Sequence, residues 1–188
     1  MTHLLTIGLG GAGMTIAPQI REHLGGSLVG VNTDTGTLLA KHYDHTLFIG
    51  PTTCAGEAAL AAERGRLAAL ESREDLERLM KDASRIVLVA GLGGGTGTGA
   101  APVIIEIAHS LGIEVLVVVA VPFVWESKRR AMAWTYLEEL KSTRATVLVH
   151  DNESVLQEVN DPDIRLDQAF ALSSARIASH AARVVALH

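Results

Sequence analysis

Val89-Ala90-Gly91-Leu92-Gly93-Gly94-Gly95-Thr96-Gly97-Thr98-Gly99-Ala100 is the stretch from which the rest of the chain is read. It follows Arg85-Ile86-Val87-Leu88-Val89, whose continuous apolar run predicts a buried strand. It leads into Ala100-Ala101-Pro102-Val103-Ile104-Ile105-Glu106-Ile107, which predicts a helix. A strand, a glycine-rich turn and a helix N-terminus together present backbone N–H groups to an anion. Glycine permits positive φ and leaves no Cβ between backbone and ligand. Thr96 and Thr98 add two hydroxyls near the helix start. A plain connection needs one or two glycines, whereas residues 93–99 hold five glycines and two threonines. That density predicts a phosphate cradle.

Outward from this loop, strands and helices alternate. The predicted strands are 4–7, 27–32, 46–49, 85–89, 114–121 and 146–149, several of them β-branched runs. Helices are predicted over 13–24, 37–41, 56–82 with a break near Gly65 or Ser72, 100–112, 127–141, 154–158 and 165–187. Continuous apolar strands between helices imply a doubly wound α/β domain with a mostly parallel, Rossmann-like six-stranded sheet. Ligands in such sheets bind beyond the carboxyl ends of the strands. Gly8–Gly13, Asn32–Asp34, Gly93–Gly99, Pro122–Arg130 and His150–Glu153 all fall at those ends.

Composition narrows the function. At 188 residues, with 48% apolar and 20% charged residues, the chain suits a single domain over 1–188. A net charge of −5 and no Lys/Arg block give no footprint for nucleic acid. Cys54 is alone, which excludes a disulfide framework and a cysteine metal site. No apolar stretch is long enough for a membrane span. The first residues, Met1-Thr2-His3-Leu4, enter a strand with no leader pattern. These features predict a cytoplasmic protein.

Gly8, Gly10 and Gly13 form G-x-G-x-x-G after a strand, and Asp34 follows about twenty residues on, as in a dinucleotide fingerprint. Taken alone, they fit an NAD- or FAD-binding redox protein. The second and richer loop at Gly93–Gly99 favours a mononucleotide held between two loops. No G-x-x-x-x-G-K-[ST] is present, so a P-loop is excluded.

At these residues the chain resembles the tubulin/FtsZ superfamily. Gly93-Gly94-Gly95-Thr96-Gly97-Thr98-Gly99 is similar to its G-G-G-T-G-T-G signature. Ile7–Gly13 and Val31-Asn32-Thr33-Asp34 resemble the first two nucleotide loops of FtsZ. Pro122-Phe123-Val124-Trp125-Glu126-Ser127-Lys128-Arg129-Arg130 resembles its P-F-x-F-E-G-x-x-R segment. The resemblance runs the whole length in order, and implies a guanine-nucleotide-binding protein of a cytoskeletal, cell-division family. GTP or GDP would be the ligand, with Mg2+ accompanying it.

Carried over by position, Gly10, Gly11, Ala12, Gly13 and Thr15 would meet the α- and β-phosphates. Gly93, Gly94, Gly95, Thr96, Gly97, Thr98 and Gly99 would hold the β- and γ-phosphates. Asp34 joins them from the second loop. Glu126 and Arg130 match the ribose residues, Phe170 the residue packed on the base, and Asp151 and Ser174 the base-reading positions. Phe170 also fits a core stripe with Leu166, Ser173, Ile177, Ala181 and Val184.

Three departures qualify the resemblance. Gly50-Pro51-Thr52-Thr53-Cys54-Ala55-Gly56 is shorter than the family's γ-phosphate loop and lacks its Gly-Ala-Gly. Thr52 and Thr53 either supply hydroxyls there or cap a helix. His150-Asp151-Asn152 stands where the family has P-N-D; Asp151 could accept from guanine, and with one bond fewer from adenine. The family's acidic N-x-D-x-x-D loop and second domain are absent from the 188 residues. The expectation is a regulator or polymer-associated switch with weak or partner-dependent hydrolysis, and no catalytic residue is assigned. An oligomeric or filament-forming active GTPase is the alternative. Leu172, Ala175, Ala182, Val185 and Ala186 form an apolar face on the helix 165–187, expected to meet a second copy or an FtsZ-like partner.

Overall fold

The fourteen elements are β1 (Leu4–Leu9), α1 (Gly10–Leu24), β2 (Ser27–Asn32), α2 (Thr35–Leu39), β3 (His45–Phe48), α3 (Ala62–Glu71), α4 (Arg73–Met80), β4 (Arg85–Gly91), α5 (Gly95–Ser110), β5 (Glu114–Val121), α6 (Ser127–Lys141), β6 (Thr146–Asp151), α7 (Glu153–Val159) and α8 (Leu166–Ala186). They come from a computed structural model that describes residues 3–159, 161 and 163–186. Every strand pairing is parallel, in the order β3-β2-β1-β4-β5-β6. This is the expected doubly wound α/β sheet. The direction of winding reverses between β1 and β4, which opens a crevice beyond their carboxyl ends.

Alternation along the strands builds two cores. Ile7, Leu88 and Val117 face one way, against α3, α4, α5 and α6. Val87, Val89 and Val118 face the other, against Ile16 and Ile20 of α1 and Ile177 and Ala181 of α8. Both faces are covered, which is why the central strands read as unbroken apolar runs rather than alternating ones.

The helix expected over 56–82 differs at its start. Residues 56–61 are irregular, and α3 starts only at Ala62. The Ala59 N–H is drawn 3.0 Å from Thr33 Oγ1, which holds this segment across the sheet end. The expected break falls at Ser72, whose Oγ accepts the Gly50 N–H at 2.9 Å. On the other side, α2 begins two residues early because Asp34 caps it, Oδ1 accepting the Gly36 N–H.

Close backbone packing explains several glycines. A Cβ on Gly99 would lie 1.7 Å from the Ala62 carbonyl oxygen, and one on Gly95 1.3 Å from that of Ala59. From the facing helix, a Cβ on Gly65 would lie 2.3 Å from the Gly95 oxygen. These glycines let α3 and α5 cross almost backbone to backbone.

On α8 the predicted stripes shift. Ser173, Ile177 and Ala181 are buried as expected, but Leu166 and Phe170 are exposed. Of the face expected to be outward, Leu172 and Ala175 are exposed, while Val185 packs on the second core. Arg176, His180 and Arg183 break the exposed side, so the apolar face is shorter than predicted. The Ala186 side chain lies outside the described residues. No helix among the described residues is long and apolar enough to cross a membrane.

Candidate functional site

Two helices start at the crevice, one directly after each strand that borders it. The residues preceding them, Leu9 before α1 and Gly94 before α5, provide no side-chain cap. The first-turn N–H groups of both helices therefore lack the partner that a cap supplies, and both positive dipole ends meet the same space. Gly10, at φ +66°, brings the loops into contact: a Cβ there would lie 3.1 Å from the Gly97 nitrogen. Gly93, at φ +85°, turns the second loop beneath the start of α6.

Between the loops lies a cavity of about 400 Å³, closed on its far sides by Asn32, Asp34 and Thr37 and by residues 58–60. A second cavity of about 540 Å³ runs between α1 and α8, past Thr15, Asn152, Phe170 and Ser174. Gly11, Ala12 and Arg129 line both, so the two are arms of one bent cleft. One arm is glycine-rich and offers N–H groups; the other offers an aromatic edge and small hydroxyls.

Most of the expected residues converge here. Gly10, Gly11, Ala12, Asp34, Gly93, Gly94, Gly95, Thr96 and Gly97 line the first arm. Thr15, Phe170 and Ser174 line the second with Gly11 and Ala12. Phe170 packs edge-on against Phe123 at 5.1 Å but is exposed where it lines the cleft, so it is not part of the buried stripe.

Six expected residues do not line either arm, each for a visible reason. Gly13 meets β4, where a Cβ would lie 2.2 Å from the Val89 oxygen. Thr98 is fully buried and its Oγ1 accepts the Gly93 N–H at 2.9 Å, so its hydroxyl shapes the loop instead of facing the cleft. Gly99 serves the α3–α5 crossing. Glu126 accepts the Phe123 N–H with Oε1 and pairs with Arg129 through Oε2 at 2.7 Å. Arg130 donates to both oxygens of Asp151, at 2.6 and 2.7 Å, and to the Pro122 carbonyl. Asp151 is consumed by that fork, and Asn152, one residue on, lines the cleft in its place. The hydroxyl of Thr96 is shared with Thr33 at 2.9 Å, although Thr96 borders the first arm.

Residues 50–56, the first part of the connection after β3, line neither arm of the cleft. Thr52 and Thr53 give their N–H groups to the Glu71 carboxylate, at 2.8 and 2.9 Å. Hydrogen bonds from Thr53 and Thr52 bring the Glu71 carboxyl down to about 2. Neither sequence-level reading of these threonines, phosphate donor or helix cap, describes what they do.

Asn32, Thr37, Arg129, Asn152 and Asp167 also line the cleft; none has an individual role in the sequence reading, although Asn32, Arg129 and Asn152 lie in stretches placed at the strand ends. Asn32 ends β2 and Asn152 directly follows β6, which is a usable signal. Arg129 carried none, because it adjoins another arginine in a motif that emphasises the second. The hydrogen bond from Thr37 holds the Asp34 carboxyl below its ordinary range despite some desolvation. Both Asp34 oxygens accept hydrogen bonds, from Gly36 and Thr37, so the acid of the dinucleotide fingerprint serves here as the cap of α2. Among the described residues no group of three or more His, Cys, Asp or Glu side chains could hold a metal ion.

Comparison with known proteins agrees with this geometry. The model of the Tubulin/FtsZ family GTPase domain matches residues 3–160. Cell division protein FtsZ of Neisseria meningitidis is 36% identical over 170 residues, covering 87% of this chain and 42% of that protein. FtsZ of Methanothermobacter thermautotrophicus is 36% identical over 174 residues, covering 90% and 45%. An FtsZ dimer structure from M. jannaschii superposes with a TM-score of 0.88 at 32% identity, over 98% of this chain and 55% of that one. The chain thus spans less than half the length of these curated relatives. Its two touching glycine loops, its strand order and these matches place it in one group: the chain belongs to the Tubulin/FtsZ family and carries the family's GTPase domain.

Proposed function

We propose that the bent cleft binds a guanine nucleotide, with its phosphates in the glycine arm and its base beside Phe170, Asn152 and Ser174. The observation that carries this reading is the convergence of two uncapped helix N-termini, α1 and α5, on one cavity. The choice of guanine follows from family membership. Mg2+ fits as an ion carried by the phosphates and water, since among the described residues Asp34 is the one carboxylate on that arm.

Intrinsic hydrolysis by this chain is proposed to be weak. A general base must reach the attacking water. Among the described residues Asp34 is the sole carboxylate bordering the glycine arm, and its two oxygens already accept from Gly36 and Thr37. A hydrogen-bonded carboxylate with a lowered pKa is a poor base. The domain then acts as a nucleotide-dependent regulator or polymer-associated switch, turning over nucleotide when a partner completes the site.

A second reading, an active GTPase completed by self-association, is favoured by Leu60. This side chain lines the cleft yet is 84% exposed, as an interface residue would be in the free chain. Mass spectrometry of nucleotide released from the denatured protein tests the binding proposal: GDP or GTP is expected, while NAD or an empty site that rejects added GTP would overturn it. Phosphate release measured against protein concentration separates the two readings, since only the second predicts specific activity that rises with concentration.

A further inference from the structure

The first turn of α6 holds two consecutive arginines with opposite fates. Arg130 is spent inside the protein, forked onto Asp151 and bonded to the Pro122 carbonyl. Arg129 makes one hydrogen bond among the described residues, from Nη1 to Glu126 Oε2 at 2.7 Å. Its other terminal nitrogen, Nη2, lies 3.7 Å from where a Cβ on Gly94 would sit. The Arg129 backbone is fixed as well, because Gly93 packs against its carbonyl. Arg129 borders both arms of the cleft, and among the described residues no other cationic side chain lines either.

Resting on the nucleotide reading above, we propose that Arg129 binds the nucleotide's phosphates where the two arms join, and that Glu126 aims it there. The glycine loops offer N–H dipoles but no full charge, whereas a nucleotide brings several negative charges. A guanidinium with unused donors supplies the missing charge with hydrogen bonds of matching geometry. Glu126 keeps one edge of the fork occupied, so the free edge faces the loop. The join between the arms is the place where a phosphate linked to the sugar has to pass. Arg129 therefore acts on every phosphorylated form of the ligand.

The test compares wild type with Arg129→Ala and Arg129→Lys by titration calorimetry with GTP, GDP and GMP, and by competition with guanosine. Removing one partly exposed charged donor is expected to weaken GTP, GDP and GMP by about tenfold each. Guanosine binding should be unchanged, and lysine should restore part of the loss. The alanine variant should also bind GTP with a shallower salt dependence than wild type. Its melting temperature should stay at the wild-type value, because the Arg129 side chain is 54% exposed. Wild-type affinity for all three nucleotides in Arg129→Ala would overturn the proposal, and so would a loss confined to GTP, or one that guanosine shares. A wild-type protein that binds none of the three overturns the nucleotide reading as well, so the two failures are distinguishable.

Discussion

Arg130 and Asp151 face each other fork to fork, Nη1 to Oδ1 at 2.6 Å and Nη2 to Oδ2 at 2.7 Å, tying α6 to the end of β6. The pair converts two residues that align with nucleotide contacts into a strut that holds the cleft's back wall. The Arg130 hydrogen bond holds the Asp151 carboxyl below its ordinary value, against some desolvation. A depressed carboxylate stabilises the fold above its unfolded pKa, and that contribution is lost as pH falls through the folded value. Asp151→Asn is expected to cost about 1–3 kcal/mol in urea unfolding near neutral pH. The preference for GTP over ATP should be unaltered; a reversal would show that Asp151 leaves Arg130 to read the base.

The glycines divide into those that face the open cleft and those that face protein. Gly11 has nothing within 4 Å of its would-be Cβ, and Gly94 meets only the end of Arg129 at 3.7 Å. Gly11→Ala should keep the fold, or raise its stability by up to about 1 kcal/mol as a helical Gly-to-Ala change. Nucleotide affinity should fall, because the new methyl enters the cleft. Gly99→Ala should do the reverse, since its methyl would meet the Ala62 oxygen at 1.7 Å. A loss of about 3 kcal/mol or more is expected there, as for severe overpacking. Gly97 belongs with the second group, a Cβ lying 2.6 Å from the Gly91 oxygen, so a bulky residue at 97 disturbs the loop along with any binding. Paired measurements of melting temperature and GTP affinity on Gly11→Ala and Gly99→Ala check this division.

Glu71 latches the loop over 50–56 by accepting from Thr52 and Thr53. With its carboxyl brought down to about 2, the latch should hold above the ordinary glutamate range and weaken only as pH falls from about 4.5 towards 2. Glu71→Gln retains one acceptor oxygen and loses the charge. Faster amide hydrogen exchange at Thr52 and Thr53 is expected in that variant, with the amides of β1 and β4 unaffected. Equal exchange rates in wild type and variant would count against the latch.

The sheet was legible because its central strands are apolar on both faces, and only a doubly covered parallel sheet demands that. The glycine loops were legible as a site, but glycine has no side chain to say why it is there. The same absence of Cβ opens the cleft at Gly94 and permits a helix crossing at Gly99. Thr98 and Asp151 mislead for a related reason: hydroxyls and carboxylates beside a cleft bond to whatever is nearest, and here that is Gly93 and Arg130. Arg129 escaped notice because consecutive helical residues point about 100° apart, so one of two adjacent arginines faces the cleft and nothing in the pair says which.

His150 is expected to make stability respond to mild acid. It sits near the end of β6, half-buried under α7 and α8, and its Nε2 is buried with no hydrogen-bond partner among the described residues. Burial, more than any neighbouring charge, pushes its pKa below the ordinary histidine value; Asp151 and Glu158 oppose the shift, and His180 and Arg176 reinforce it. The folded state therefore binds fewer protons than the unfolded chain in the window just below pH 6.5. Stability is full above that window and declines as pH falls through it. One such group can contribute at most about 1.4 kcal/mol per pH unit. Replacing His150 by Phe removes both the proton site and the unpaired nitrogen. The difference in unfolding free energy, variant minus wild type, should then grow as pH is lowered from 7.5 to 5.5. A difference that stays constant across that range would assign the acid sensitivity to another of the chain's eight histidines.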